Sequence, residues 1–368
     1  MDSQYLLDAT LGRGKEVIMD RNEALRQLRE TPWKSPDGSE ECTVSCFEPA
    51  DAAGISRLFY AVYGEGYPVD TYYIPERLIE ENTRGAVRSA VARTASGDVV
   101  AHVAFYRSSS PNPKLYEYGL GLTLPSYRSS LVFSRACQAV MKLLGTDAID
   151  GIFGESVCNH VITQKLSLQS KMVETALEPA LMPADAYTTE HSAQGRVACV
   201  MFFRVARDQR RLVFLPRPYL AELEFMMSGL GLDRELCVSE EALPAVASVI
   251  DVARFASAGV ARCTLTAPGD DLAIRLAELE RELAQNDYAL IQVFVDLGSA
   301  NCGAVVDELR RQGYSLGGFL PTWFGDDGLL LQKHLVSPDF ENIKLYSDRA
   351  RALLEIVRRD WLRAQSNG

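Results

Sequence analysis

Apolar positions recur along this chain in two rhythms that change places repeatedly. Alternating or unbroken apolar runs at 42–47, 86–93, 99–106, 115–125 and 151–157 predict strands. The SGD at 96–98 joins the second and third of these as a hairpin. Between them lie helical spacings. Residues 50–63 bring Ile55, Leu58, Phe59 and Val62 onto one face, with Asp51 near the start, where a helix dipole favours an acid. A loop rich in Tyr, Gly and Pro follows, then a short helix at 75–82. Residues 127–144 read as a long helix with Leu131, Val132, Ala136, Ala139, Val140 and Leu143 on its apolar side. A helix at 159–169 and strands at 172–181 and 196–205 complete this first alternation.

The rest of the chain repeats the manner. Strands are predicted at 211–216, 245–251, 260–268, 289–297, 314–321 and 328–334, with helices at 218–229, 270–286 and 300–311. In the helix over 270–286, Leu272, Leu276, Leu279 and Leu283 are spaced four, three and four apart. A last helix over 348–364 carries Arg358, Arg359 and Arg363 near its negative end. The order strand–helix–strand–strand in 151–205 returns in 289–335, which suggests duplication of one α/β unit. The expected organisation is a peripheral extension and linker over 1–41, with a short helix at 20–30. A first domain over 42–206, a second over 207–340 and a terminal helix over 341–368 follow.

Composition narrows the function classes. At 368 residues, 47% hydrophobic and 24% charged, the chain suits two globular domains, and no apolar run approaches the length of a membrane span. A net charge of −11 argues against a broad cationic surface for nucleic acid or anionic lipid. Of the eight cysteines only Cys42 and Cys46 are close, without a second pair at metal spacing. Reduced, buried thiols and no metal are therefore expected. The first twenty residues carry acids and no continuous apolar stretch, which argues against a secretory signal and for a cytoplasmic protein. No G-x-S-x-G, Walker or H-E-x-x-H string occurs.

The stretch EYGLGLTLPSYRSSLVFSRACQAVMKLLG (117–145) resembles the centre of a GCN5-related N-acetyltransferase (GNAT) domain. In that family a strand runs into a turn, and Arg/Gln-x-x-Gly-x-Gly/Ala opens the central helix. The matching positions here are Arg128, Ser129, Ser130, Leu131, Val132 and Phe133. The family's two small residues are thus replaced by Leu131 and Phe133. Glycine lets backbone amides approach phosphate closely, so these side chains crowd one side. Either a phosphate rides higher, held by Ser126, Ser129, Ser130 and Arg128, or the site has lost coenzyme A. The segment 290–321 resembles the family's C-terminal portion, with Gly313-Tyr314 in place of its Gly-Phe. There the turn before the helix is PGDD (268–271), whose acids would repel a diphosphate.

The resemblance implies an α/β (α+β) fold: two tandem domains, each a mixed, mostly antiparallel sheet flanked by helices. It also implies acetyl-CoA, or another acyl-CoA, bound by Leu122, Thr123, Leu124 and 128–133. An acyl group would pass to the amine of a small molecule or protein, with the N-terminal domain active. Glu117 stands where many members carry the catalytic base; its plainer role is a solvated strand carboxylate. His160 is a second candidate base, or an ordinary residue at a helix start making a local hydrogen bond. His102, alone in an apolar strand, reads as a hydrogen-bonded core residue. His191 and His334 have no supporting pattern. Strict alternation puts Glu117, Gly119, Gly121 and Thr123 on one strand face, and the two glycines mark a bulge or a close approach. Tyr60, Tyr63, Tyr67 and Tyr72 form the candidate acceptor wall, with Glu65 and Asp70 able to attract a cation. Two competing readings are a non-catalytic ligand-binding or assembly protein, and acyl-CoA chemistry other than amine transfer. A homodimer is left open.

Overall fold

The computed structural model describes residues 19–183 and 195–366. Its internal contacts divide the chain after Ile152 into two compact units. No described helix is long and apolar enough to cross a membrane.

In the first unit, four antiparallel strands lie in the order β1 (Cys42–Cys46), β2 (Val87–Thr94), β3 (Val99–Tyr106) and β4 (Leu115–Thr123). α2 (Ala52–Tyr63) and α3 (Pro75–Thr83) separate β1 from β2. Glu48 and Asp51 form a reciprocal cap at the turn that leads into α2, and Ile55, Leu58 and Phe59 are its buried stripe. The predicted peripheral helix is α1 (Arg21–Glu30), started by Asp20 accepting from the Glu23 amide. It is less peripheral than expected: Ala24, Leu25 and Leu28 are buried in the same core as Ile55, Leu58 and Phe59. The predicted helix over 127–144 is shorter, α4 (Val132–Met141). Pro125 opens a tight turn over Pro125–Tyr127, and the chain turns again before the helix begins.

The second unit carries the strand order β5-β7-β6-β13-β14-β12-β11-β10. The strands are β5 (Gly151–Val157), at whose start the division falls, β6 (Val173–Pro183), β7 (Arg196–Val205), β10 (Val249–Phe255), β11 (Val260–Ala267), β12 (Leu290–Asp296), β13 (Ser315–Leu320) and β14 (Gly328–His334). The helices are α5 (Ile162–Gln169), α6 (Leu220–Met227), α7 (Leu272–Gln285), α8 (Cys302–Arg311) and α9 (Asp348–Ser366). A separate parallel pair joins β8 (Arg211–Leu215) to β9 (Arg234–Val238). The repeated pattern has a structural counterpart: β5-α5-β6-β7 gives the order β5-β7-β6, and β12-α8-β13-β14 gives β12-β14-β13. The two sets meet where Ala176 pairs with Gly318. A Cβ on Gly318 would stand 2.3 Å from the Ala176 Cα, so the junction needs glycine. This pairing also explains why the units divide after Ile152 and not at 206. Residues 153–205 are held by β13, far along the chain.

Candidate active site

The centre of the first unit's site is an irregularity in β4. Its register with β3 runs Tyr106↔Glu117, Phe105↔Tyr118 and Ala104↔Gly119, then shifts to His102↔Leu122 and Ala101↔Thr123. Leu120 and Gly121 therefore stand opposite Val103 alone, a β-bulge, and Leu120 takes φ +55°. The bulge corrects the strict alternation. Glu117 and Gly119 share a face with Leu122, the face on which the His102 ring meets Phe59 of α2 edge-on at 5.7 Å. Gly121 instead faces α4: a Cβ there would lie 2.8 Å from Cζ of Phe133. The Phe133 ring thus occupies the space that a side chain at 121 would fill. His102 is fully buried and sits under the bulge. Its Nδ1 is 2.8 Å from the Leu120 carbonyl oxygen and its Nε2 is 2.9 Å from Ser89 Oγ. Burial pulls its pKa down to about 4.

The turn between β4 and α4 consumes some of its own amides and leaves others. Leu124 N–H donates to Val100 O, Tyr127 to Leu124 O, Arg128 to Pro125 O and Ser130 to Tyr127 O. Among the described residues, the amides of Ser129, Leu131 and Phe133 enter no backbone hydrogen bond of the turn. The Leu131 side chain, at the helix cap, supplies no capping bond and is 76% exposed. α4 therefore begins with open N–H groups at the positive end of its dipole. Arg128, Ser129 and Ser130 are exposed around them. Ser130 Oγ donates to Tyr127 O and accepts weakly, at 3.4 Å, from the Val132 amide. Of the other expected cofactor residues, Thr123 is half-buried. Leu122, Leu124 and Val132 put their side chains in the core, so only their backbones could face a ligand. Ser126 is already committed, its hydroxyl donating to Pro36 O in the linker. An exposed, uncapped helix start fits a diphosphate. The Phe133 ring lies to one side, against Gly121 of the strand.

The tyrosine wall is one stacked cluster around Phe59. Tyr72 stacks on Phe59 at 4.6 Å, Tyr67 meets it edge-on at 4.9 Å, and Tyr63 and Tyr67 are 5.1 Å apart. Tyr72 is fully buried and serves as the floor of the cluster, whereas Tyr63 is exposed. Tyr60 turns towards α1, where Arg29 reaches both it and Glu65. Asp70 pairs with Arg21 at 2.7 Å, and Arg21 also holds the carbonyls of Glu65 and Tyr67. The two acids expected to attract a cation are thus already neutralised.

Glu117 is buried on the bulge's Leu122 face. His160 lies in the second unit, half-buried, with Nδ1 accepting from the Ile162 amide at 3.3 Å, the local helix-start role. His334 is half-buried and donates from Nε2 to Pro179 O. His191 falls outside the described residues. The eight cysteines are free, and burial pushes Cys158 up to about 12, far from a reactive thiolate. Among the described residues no cluster suited to a metal ion occurs. In the second unit, the turn before α7 is tied by the Ser248 amide donating to Asp271, Gly269 N–H to Ser248 Oγ and Asp270 N–H to Pro244 O, while Asp271 makes no capping bond to the helix and its carboxylate and that of Asp270 stand at the helix start.

One group of residues went unread in the sequence. Arg262 on β11 contacts Glu155 on β5 at 2.8 Å, Glu178 on β6 at 3.2 Å and Gln292 on β12 at 2.9 Å. Gln292 also donates to Glu178 at 2.7 Å, and Gln332 donates to Leu177 O. Each interrupts the apolar run of its strand, and that interruption was the available signal. One guanidinium serves two carboxylates here. Burial, with Glu155 nearby, raises the Glu178 pKa well above the ordinary carboxylate range.

No family model and no curated protein matches the sequence. Among solved structures the chain is similar to an N-acetyltransferase from Staphylococcus aureus Mu50, at 14% identity and TM-score 0.37, over 45% of this chain and 99% of that one. It is also similar to a Desulfovibrio desulfuricans protein assigned as an acetyltransferase of the GNAT family, at 12% identity and TM-score 0.35, over 45% and 99%. A third is a Salmonella typhimurium protein assigned as an acetyltransferase and solved with its cofactor acetyl-CoA, at 15% identity and TM-score 0.36, over 46% and 96%. The mixed, mainly antiparallel sheets flanked by helices agree with the fold expected from sequence. At TM-scores this low the likeness carries no functional weight of its own.

Proposed function

We propose that the first unit is an acyl-CoA-dependent N-acyltransferase, most simply an acetyltransferase, acting on the amine of a small molecule or protein. The observation that carries this reading is the uncapped, exposed start of α4 directly after the bulged strand β4. Coenzyme A, when bound, supplies an acyl group activated as a thioester. The amides of Ser129, Leu131 and Phe133 hold the diphosphate, with Arg128 and the hydroxyl of Ser129 around it. The backbone of β4 at its bulge is the group available to polarise an acyl carbonyl. Glu117, on the face shared with the aromatic cluster, takes the ammonium proton directly or through a water. Tyr63 and Tyr67 form the wall along which an acceptor lies, and Arg21 holds their loop in place.

The carboxylates of Asp270 and Asp271 at the start of α7, which would repel a diphosphate, support a non-catalytic role for the second half. The Phe133 ring against Gly121 is the one feature favouring the competing reading, a ligand-binding protein without turnover. Steady-state transfer from acetyl-CoA to a panel of amines separates the two. The expected result is turnover that Glu117→Gln abolishes at unchanged acetyl-CoA affinity. Acetyl-CoA binding without transfer to any amine would favour the binding protein.

A further inference from the structure

A leucine at φ +55° is costly for a residue with a side chain, by about 1–3 kcal/mol. Such a conformation persists only where its surroundings over-determine it. Leu120 has that support in the imidazole of His102. The carbonyl oxygen of Leu120 can only accept, so His102 Nδ1 carries the hydrogen of the 2.8 Å contact. With Nδ1 protonated in a neutral ring, Nε2 is a lone pair, and Ser89 Oγ donates to it at 2.9 Å. Ser89 is itself fixed, its amide donating to Asn82 Oδ1 and its carbonyl accepting from the Phe47 amide. The ring meets Phe59 edge-on at 5.7 Å, and Asp51 is the charge that acts on it. Three elements thus converge on one carbonyl.

We propose that His102, as its neutral Nδ1–H tautomer, is the positioning residue of the candidate site: it holds the Leu120 carbonyl and thereby sets the bulge that places Glu117, Gly119 and Leu122 on one face. It touches neither substrate nor cofactor. The role rests on the acyl-transfer reading, because only there does the aim of the bulge matter to a rate. Displacing a reacting group by about 1 Å costs on the order of a hundredfold in rate. A slack bulge is therefore felt in kcat before it is felt in cofactor affinity.

The test uses the full chain. Long-range ¹H–¹⁵N spectra of histidine-labelled protein, assigned by the signal lost in His102→Asn, are expected to show a ring protonated at Nδ1 that does not titrate between pH 5 and 8. His102→Phe keeps the volume without a donor. It is expected to lower kcat roughly ten- to a hundredfold, with acetyl-CoA affinity within about threefold of the parent. His102→Asn, whose amide nitrogen can stand near the place of Nδ1, should recover much of the loss. An Nε2–H ring, a ring titrating near 6.5, or a His102→Phe protein with parental kcat overturns the proposal while the acyl-transfer reading stands. A parent chain that shows the Nδ1–H ring but binds no acetyl-CoA overturns the acyl-transfer reading and the positioning role together.

Discussion

A single substitution at the start of α4 separates stability from ligand binding. Leu131 is exposed at the helix cap, and its side chain makes no capping bond. Leu131→Asp places a carboxylate beside the open amides. A capping or dipole interaction of this kind contributes about 0.5–1 kcal/mol, and the change removes an exposed leucine. The melting temperature is therefore expected to rise, by about 1–4 °C for a unit of this size. Acetyl-CoA affinity should move the other way. A unit charge at ~5 Å from another in water costs ~0.8 kcal/mol. Against the two charges of a diphosphate this is about 1.7 kcal/mol, or about twentyfold, and somewhat less in physiological salt. Leu131→Asn is the control: it can cap without charge, so it should stabilise while weakening binding much less. Thermal melts and isothermal titration with acetyl-CoA measure both quantities on the same samples. A stabilised Leu131→Asp protein with parental affinity would refute the reasoning, because the diphosphate would then not lie at this helix.

Three further outcomes follow from particular contacts. Phe133→Ala removes a half-buried ring that packs on Gly121, costing about 1–2 kcal/mol. It keeps the amide at 133, so titration should show acetyl-CoA binding at least as tight as in the parent; a loss beyond tenfold would mean that the ring itself makes the contact. Glu178→Gln tests the buried Arg262 group. The raised pKa of Glu178 means that its protonated form stabilises the fold fully below about 4.5, and that this contribution is lost as the pH rises through the raised value. The variant's advantage in urea melts should therefore grow with pH by at most about 1.4 kcal/mol per unit; a constant gap from pH 5 to 9 would contradict it. Arg21→Ala frees Asp70 and the carbonyls of Glu65 and Tyr67, at about 1 kcal/mol. Faster hydrogen exchange is expected over 64–72, with acetyl-CoA affinity unchanged.

Much of the fold was legible because the apolar rhythm is strong where packing is two-sided. The strands expected at 86–93 and 99–106 are β2 and β3 within a residue, and Leu272, Leu276, Leu279 and Leu283 are the buried face of α7. The limits have physical causes. Gly119 and Gly121 pointed to a bulge, but the φ +55° residue is Leu120, and one inserted position reverses every face assignment beyond it. The helix predicted from 127 begins at Val132, since apolar spacing alone does not register the turns that follow Pro125. β9 is short and largely exposed, RELCV, and among the described residues pairs only with β8, so no rhythm marked it. The division after Ile152 depends on β6 meeting β13, a pairing between residues more than a hundred positions apart. At the site, the motif named the turn before α4 but not which of its amides stay open, and Tyr72, read as part of the wall, is fully buried.

The central claim is that backbone nitrogens at the start of α4 grip a diphosphate. A crystal structure of the full chain with coenzyme A tests it most directly. The account requires phosphate density within hydrogen-bond distance of the Ser129, Leu131 and Phe133 amides, with the thiol running towards the Leu120 bulge. Density at the start of α7, or none at millimolar coenzyme A, would contradict it.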